Sequence, residues 1–284
     1  MELAHARVRR LSRRVLVVEA EPAGSANAGI VIGDDRVLVI DTRVLPSFGA
    51  QLASAVTEAT GTSVDELVVV NTHFHGDHVF GNGAFKGATI VATASAQAAQ
   101  RREWDRQVEI FEELRPHQAD EIKTTEKAVA TVGLTGPARI ALGGVDVELE
   151  PVGPAHTEGD LVAFVPAEDV AFVADLVFNG HWPSMWNADM QGWLRALTRL
   201  RGMVLRTVVP GHGPAGDPSL LDEMAACLRF LIALELDDDG GDEDAKIAAS
   251  PFAGFLHRQR VAEGRQRVRE QVSEDLRGIV EGVA

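Results

Sequence analysis

Tyrosine is absent from this 284-residue chain, and cysteine occurs once, as Cys227. No mechanism that needs a tyrosine hydroxyl can operate here. A single thiol excludes an internal disulfide and any thiolate metal cluster, and it fits a reducing compartment. Long hydrophobic runs are missing too: none approaches the roughly 20 residues that a membrane-spanning helix needs, so no membrane partner is expected. The basic N-terminus, MELAHARVRRLSRR, passes straight into alternating valine and leucine without an apolar leader or a small-residue cleavage site. A cytoplasmic location is the expectation. Positive charge is also short. The 27 basic residues face 42 acidic ones, a net charge of −15, which argues against nucleic acid as a partner.

What remains is a chain with 45% hydrophobic residues, enough at this length to bury a substantial core. Short β-branched or apolar runs at 15–19, 29–32, 37–40, 66–70 and 89–92 predict a first set of strands. Gly33-Asp34-Asp35 turns one hairpin. Ser47 is the expected N-cap of a helix running to Thr60 and stopped by Gly61. Residues 94–127 read as helical, with breaks at Pro116 and near Thr124. A second set of strands is predicted at 138–142, 145–150, 161–165, 170–174 and 207–209, with helices over 191–201, 220–236 and about 257–280. The acidic run 237–244 reads as a solvated loop. The arginine-rich last helix reads as a solvated face or a dimer contact. Each half runs strands then helix, which predicts an α+β fold: two mixed β-sheets face to face with helices outside, an αββα sandwich. One domain over 1–284 is expected, with a core of about 15–215 and a helical extension of about 217–284.

The nine histidines are unevenly spread, and five of them sit in short segments rich in Gly or Asp. His73-Phe74-His75-Gly76-Asp77-His78 places three imidazoles and a carboxylate just past a buried strand, where a loop can turn them to one cavity. His156 lies between two predicted strands, Asp175 is expected to end the strand 170–174, and His212 follows the strand 207–209. Imidazole with carboxylate suits zinc, with iron or manganese also compatible. Seven ligands exceed one tetrahedral ion and suit two metals sharing a bridge. By contrast His181 reads as structural or solvated, and His5, His117 and His257 as ordinary.

In order and flanks these segments resemble the metallo-β-lactamase-fold superfamily of dinuclear metallohydrolases, over about residues 15–215. The resemblance implies two Zn²⁺ ions per chain. His73, His75 and His156 would hold metal 1. Asp77, His78 and His212 would hold metal 2, and Asp175 would bridge. It also implies that Asp77 orients the attacking hydroxide while the metals polarise a carbonyl. Three departures narrow the branch. Asp175 stands where one group of secreted zinc β-lactamases has cysteine, His75 stands where flavodiiron proteins have glutamate, and the tyrosine-using lactonases are excluded by composition. Ser25-Ala26-Asn27-Ala28-Gly29-Ile30-Val31, the stretch 71–82 and Pro251-Phe252-Ala253-Gly254-Phe255 look like the lactamase-like cyclase/thioesterases of aromatic polyketide biosynthesis. The expected substrate is therefore a small acyl or carbonyl compound, free or tethered to a carrier protein or coenzyme A.

Three functions compete. The first is a cyclase or thioesterase. The second is a general hydrolase of thioesters, lactones or β-lactams, like glyoxalase II or a β-lactamase. The third is a non-catalytic metal- or ligand-binding protein, against which the retained Asp77 speaks. Phe178, Trp182, Met185 and Trp186 follow the expected bridging residue closely and are read as a flat apolar wall of the substrate pocket. The 95–125 insertion, with Trp104, Phe111 and Arg102, reads by its amphipathic pattern as ordinary packing, with the opposite wall of the pocket as the alternative.

Overall fold

A computed structural model describes residues 3–21, 26–236 and 241–271. Ser25, residues 237–240 of the acidic run and the end of the last predicted helix from 272 lie outside the described residues. Among the described residues twelve strands form two sheets: β1 (Ala6–Arg10), β2 (Val15–Ala20), β3 (Ala28–Ile32), β4 (Val37–Ile40), β5 (Val68–Val70), β6 (Thr89–Thr93), β7 (Val132–Leu134), β8 (Ala138–Ala141), β9 (Asp146–Pro151), β10 (Leu161–Val165), β11 (Val170–Phe178) and β12 (Thr207–His212). The first sheet runs in chain order from β1 to β7, antiparallel through β4 and parallel beyond it. The second has the order β12-β11-β10-β9-β8, with β11 and β12 parallel.

Alternation along the strands builds the layers. In β2, Val15 and Val17 enter the space between the sheets, while Leu16 and Val18 face the outer helices. In β4, Leu38 and Ile40 point in, and Val37 and Val39 point out. The interior facing them comes from Val147, Leu149, Leu161, Ala163, Phe172 and Val209 of the second sheet. Gly29 is required at this contact, because a Cβ there would meet the Phe172 ring at 2.3 Å. Each such aliphatic side chain contributes about 1.5–3 kcal/mol by its burial.

The helices are α1 (Pro46–Thr60), α2 (Gly76–Val79), α3 (Ala94–Leu114), α4 (Ala119–Ile122), α5 (Met190–Arg201), α6 (Ser219–Leu236), α7 (Glu243–Ala248) and α8 (Arg260–Gln271). Helices α1 and α3 cover the first sheet, and α5, α6 and α8 cover the second. No helix among the described residues is long and apolar enough to cross a membrane.

Three expectations need correction. Ser47 does not cap α1. The cap is Leu45, without a side-chain bond, and Pro46 starts the helix with its φ already set. Ser47 instead gives its N–H to Glu121 Oε1 at 2.8 Å. Strand β11 does not stop before Asp175 but continues to Phe178, because Leu176, Val177 and Phe178 are all buried in the helix-covered core. The pairing with β12 shifts register around Ala174, whose φ is +46°. Finally, the predicted strand set is incomplete: β1, whose arginines interrupt the apolar pattern, and the short β7 have no counterpart in it.

Candidate metal centre

Five chain segments deliver the seven candidate ligands to one end of the sandwich. The loop after β5 carries His73 and His75, and α2 carries Asp77 and His78 in its single turn. His156 comes from the loop between β9 and β10, Asp175 from within β11, and His212 from the end of β12. Two groups result. One ligand atom from each of His73, His75, His156 and Asp175 lies within 4.8 Å of the others, and the same holds for Asp77, His78 and His212. Asp175 sits between the groups: its Oδ2 is 3.4 Å from both His156 Nε2 and His212 Nε2, and its Oδ1 is 3.0 Å from His78 Nε2. Gly211 makes room for it, since a Cβ there would fall 1.8 Å from Asp175 Oδ1.

The hydrogen bonds behind the rings decide which nitrogen faces inward. Asp41, just beyond β4 and at φ +58°, accepts from Thr72 N at 2.8 Å and from the Thr72 hydroxyl at 2.7 Å. It also accepts from His78 Nδ1 at 2.7 Å. With Nδ1 tied to Asp41, His78 turns Nε2 toward Asp175, and the neutral ring would offer its lone pair there. Because the Thr72 hydroxyl already donates to Asp41, it accepts from His73 Nδ1 at 3.2 Å, and His73 Nε2 is turned inward in the same way. His73 Nε2, His78 Nε2 and Asp175 Oδ1 are buried with no hydrogen-bond partner. Buried acceptors without donors are costly. A set of inward lone pairs on imidazoles and carboxylates therefore fits a cation, and the residues present fit a metal.

Charges fit a metal directly at three of the rings; at His78 and His212 burial is outweighed by the carboxylates of Asp175 and Asp77, which raise the basicity, so a cation there would take the place of a proton. Burial pushes the basicity of His73 and His75 below the ordinary imidazole range and takes His156 down to about 3, so these rings are neutral donors of lone pairs. Burial opposes ionisation of Asp77, but His78 and His212 outweigh it and hold the carboxylate below its usual range. Asp175 is likewise held ionised against its burial by His212 and His78.

Beside the centre lies a cleft of about 450 Å³, walled by Phe74, Trp186 and Asn187 on one side and by one face of α3 on the other. That face presents Glu103, Arg106, Gln107, Ile110, Glu113 and Leu114. The 95–125 insertion thus does wall the cleft, while its large aromatics take the ordinary packing that the pattern favours. Trp104 and Phe111 pack inward against Phe80, and Arg102 pairs outside with Glu103 and Glu158. The wall expected of Phe178, Trp182, Met185 and Trp186 is corrected. Trp182 and Met185 have no exposed surface and belong to the core under α6 and α8. Phe178 is buried and stacks on His212, with centroids 5.0 Å apart and planes at 6°. Of the four, Trp186 alone borders the cleft.

Sequence reading missed Asp41, Gln107, whose Oε1 accepts from Gly76 N at 3.1 Å at the start of α2, and Asn187, whose Oδ1 lies 2.9 Å from His75 Nε2. The one available signal was Asp41 directly after a buried apolar strand. His181 behaves as read: its ring bonds the Asn179 carbonyl at 2.7 Å and stacks on His257.

Known proteins resemble this chain in sequence and fold. The family model described as the metallo-β-lactamase superfamily matches residues 22–212. A metallo-β-lactamase type 2 of Bacteroides fragilis is 23% identical over 202 residues, 69% of this chain and 72% of that protein. A hydroxyacylglutathione hydrolase of Hyphomonas neptunium is 27% identical over 192 residues, 66% of this chain and 61% of that protein. The solved structure of a metallo-β-lactamase from Pontibacter korlensis superposes with a TM-score of 0.62 at 22% identity, covering 79% of this chain and 99% of that one. That last likeness is one of fold.

Proposed function

Because this chain belongs to the metallo-β-lactamase superfamily, we propose that it is a dizinc hydrolase that cleaves an acyl bond, most directly a thioester, in a substrate with a bulky apolar acyl group. The observation that carries the reading is the meeting of the two ligand groups, with His73 Nε2, His78 Nε2 and Asp175 Oδ1 buried and unpartnered, beside a cleft lined in part by Phe74, Ile110, Leu114 and Trp186. His73, His75 and His156 would hold one ion, Asp77, His78 and His212 the other, with Asp175 between them. Bound there, the metals supply Lewis-acid charge that polarises a carbonyl and lowers the pKa of water.

The chain's own groups account for the remainder. Asp77 and His212 are the least buried of the seven, so they face the approaching substrate. Asp77, ionised at this site, would orient the attacking water through its carboxylate oxygens. Trp186, Ile110 and Leu114 bind the acyl group and exclude water from it. The relatives span a lactam and a thioester hydrolase by name, and the absence of cysteine from the bridging position supports the thioester side. A narrower reading, cyclisation of a polyketide-type chain by the same polarisation, rests on the sequence resemblance of 25–31, 71–82 and 251–255 alone.

Metal analysis of freshly purified protein is the test, joined to chelation and reconstitution with aryl and alkyl thioesters and a chromogenic β-lactam. About two zinc ions per chain and chelator-sensitive thioester cleavage are expected. Asp77→Asn should lower turnover by about 10²–10⁴-fold while the fold, seen by circular dichroism, is kept. Less than one metal per chain, or full metal with no hydrolysis of any acyl substrate, overturns the proposal.

A further inference from the structure

His75 is held differently from the two histidines that Asp41 supports, and its support leads out to the C-terminal helix. An amide oxygen can only accept, so the 2.9 Å contact between His75 Nε2 and Asn187 Oδ1 places the ring proton on Nε2. The Nδ1 lone pair then turns inward, 3.1 Å from His156 Nε2. Asn187 is exposed and sits in an irregular stretch, residues 184–189, that precedes α5.

Helix α8 holds that stretch by three side chains. Glu263 accepts from Met185 N and, at 3.4 Å, from Ser184 Oγ, and it also bonds the side chain of Trp186. Arg267 Nε donates to Ala188 O at 2.7 Å. Gln271 Nε2 donates to the same carbonyl, and its Oε1 accepts from Met190 N at 3.0 Å. These residues stand at i, i+4 and i+8, one stripe along the helix. Val261 and Val268 sink into the core beside them. Gly264 lets the helix come close enough, since a Cβ there would meet Met185 Sδ at 2.9 Å. Every residue from Ser184 to Met190 is thus bonded to α8 or lies within two residues of one that is.

We propose that Asn187 is a positioning residue for the ligand His75, and that α8 is the clamp that holds Asn187 in place through Glu263, Arg267 and Gln271. The inference rests on the metal-centre reading above and adds the C-terminal extension to the support of that centre. Fixing the His75 tautomer removes the alternative in which Nδ1 carries the proton and faces the cation. Since Trp186 shares the stretch, the same clamp sets the cleft wall.

The test uses full-length protein carrying ¹⁵N-labelled histidine, with zinc titrated into the metal-free form. In wild type, His75 shows a single Nε2–H tautomer. Asn187→Ala mixes the two tautomers and weakens zinc binding by about 10–100-fold, the usual effect of losing a group that orients a ligand. Asn187→Asp keeps the acceptor and restores most of the affinity. Glu263→Ala reproduces part of the loss and shifts the tryptophan fluorescence, whereas Gln266→Ala, on the exposed face of α8, leaves both unchanged. Thermal melts check that each variant is folded. Wild-type zinc affinity and one tautomer in Asn187→Ala overturn the positioning role; Glu263→Ala with unaltered affinity overturns the clamp. A wild-type chain that binds no zinc defeats the proposed function instead, and the His75 tautomer in the same spectra still decides the role of Asn187.

Discussion

Two ring-rich stretches flank the centre, and they behave in opposite ways. In 73–78 every imidazole and the carboxylate reach the same site, pinned from beneath by the fully enclosed Asp41 and by Gln107. In 178–187, where two tryptophans, a phenylalanine and a methionine occur, the side chains divide: Trp182 and Met185 go to the core, Phe178 backs His212, and Trp186 borders the cleft. A short loop tied to a buried carboxylate keeps its groups together. A longer stretch held by a distant helix serves two compartments. Composition is the same kind of signal in both, but only the first is local.

The sharpest way to break this contrast is to truncate two tryptophans four residues apart. Trp182→Ala empties a fully enclosed site and should cost about 3–5 kcal/mol. Trp186→Ala should change stability by less than about 1 kcal/mol while raising KM for thioesters with bulky acyl groups. Urea denaturation of both variants beside steady-state kinetics separates the effects, and equal losses of stability would erase the division.

Next in size is the pin under the histidine loop. Asp41→Ala strips the partner from His78 Nδ1 and from Thr72 N and its hydroxyl, all of them buried. Zinc affinity should fall at least as far as in Asn187→Ala, by about 10–100-fold. Stability should drop by about 1–3 kcal/mol as well, because buried donors lose their acceptor. Zinc titration together with thermal melting reads both, and a variant that loses only stability would show that Asp41 braces the fold without orienting the rings.

The smallest effect lies at the rim, where His257 stacks on His181 with centroids 5.5 Å apart. Burial, then the charges of Arg260, His181 and His212, push His257 from 6.5 down to about 4. Between those values the unfolded chain binds a proton that the folded chain does not, so stability falls as pH drops through this window. His257→Gln removes that dependence. Thermal midpoints of the wild type should therefore decline more steeply between about pH 6.5 and pH 4 than those of the variant. Parallel slopes would mean that the folded ring protonates freely.

Much of this was legible beforehand. Strands β2 to β6 and β8 to β10 follow from alternating or continuous apolar runs, and the seven ligand candidates stand out as histidines and carboxylates beside strand ends. Strand β1 was hidden by its arginines, and the continuation of β11 by the lone Asp175 in an otherwise apolar strand, which reads as an end. The cap at Ser47 failed because Pro46 already starts the helix. Asn187 had no signal at all: an asparagine in a loop is ordinary, and its partner lies 112 residues away.

The sequence by itself determined the layers and the ligand types. Strand alternation and the spacing of histidines around a turn are local properties, and they survive whatever the chain does elsewhere. Tertiary structure alone decided which tryptophan is core and which is wall, which nitrogen of each imidazole faces the centre, and that a helix near the C-terminus braces a loop beside it. Those choices depend on which groups meet when distant segments pack. A buried ring nitrogen takes its proton or its lone pair from the partner it finds there, and that partner is set by the fold rather than by the residues on either side.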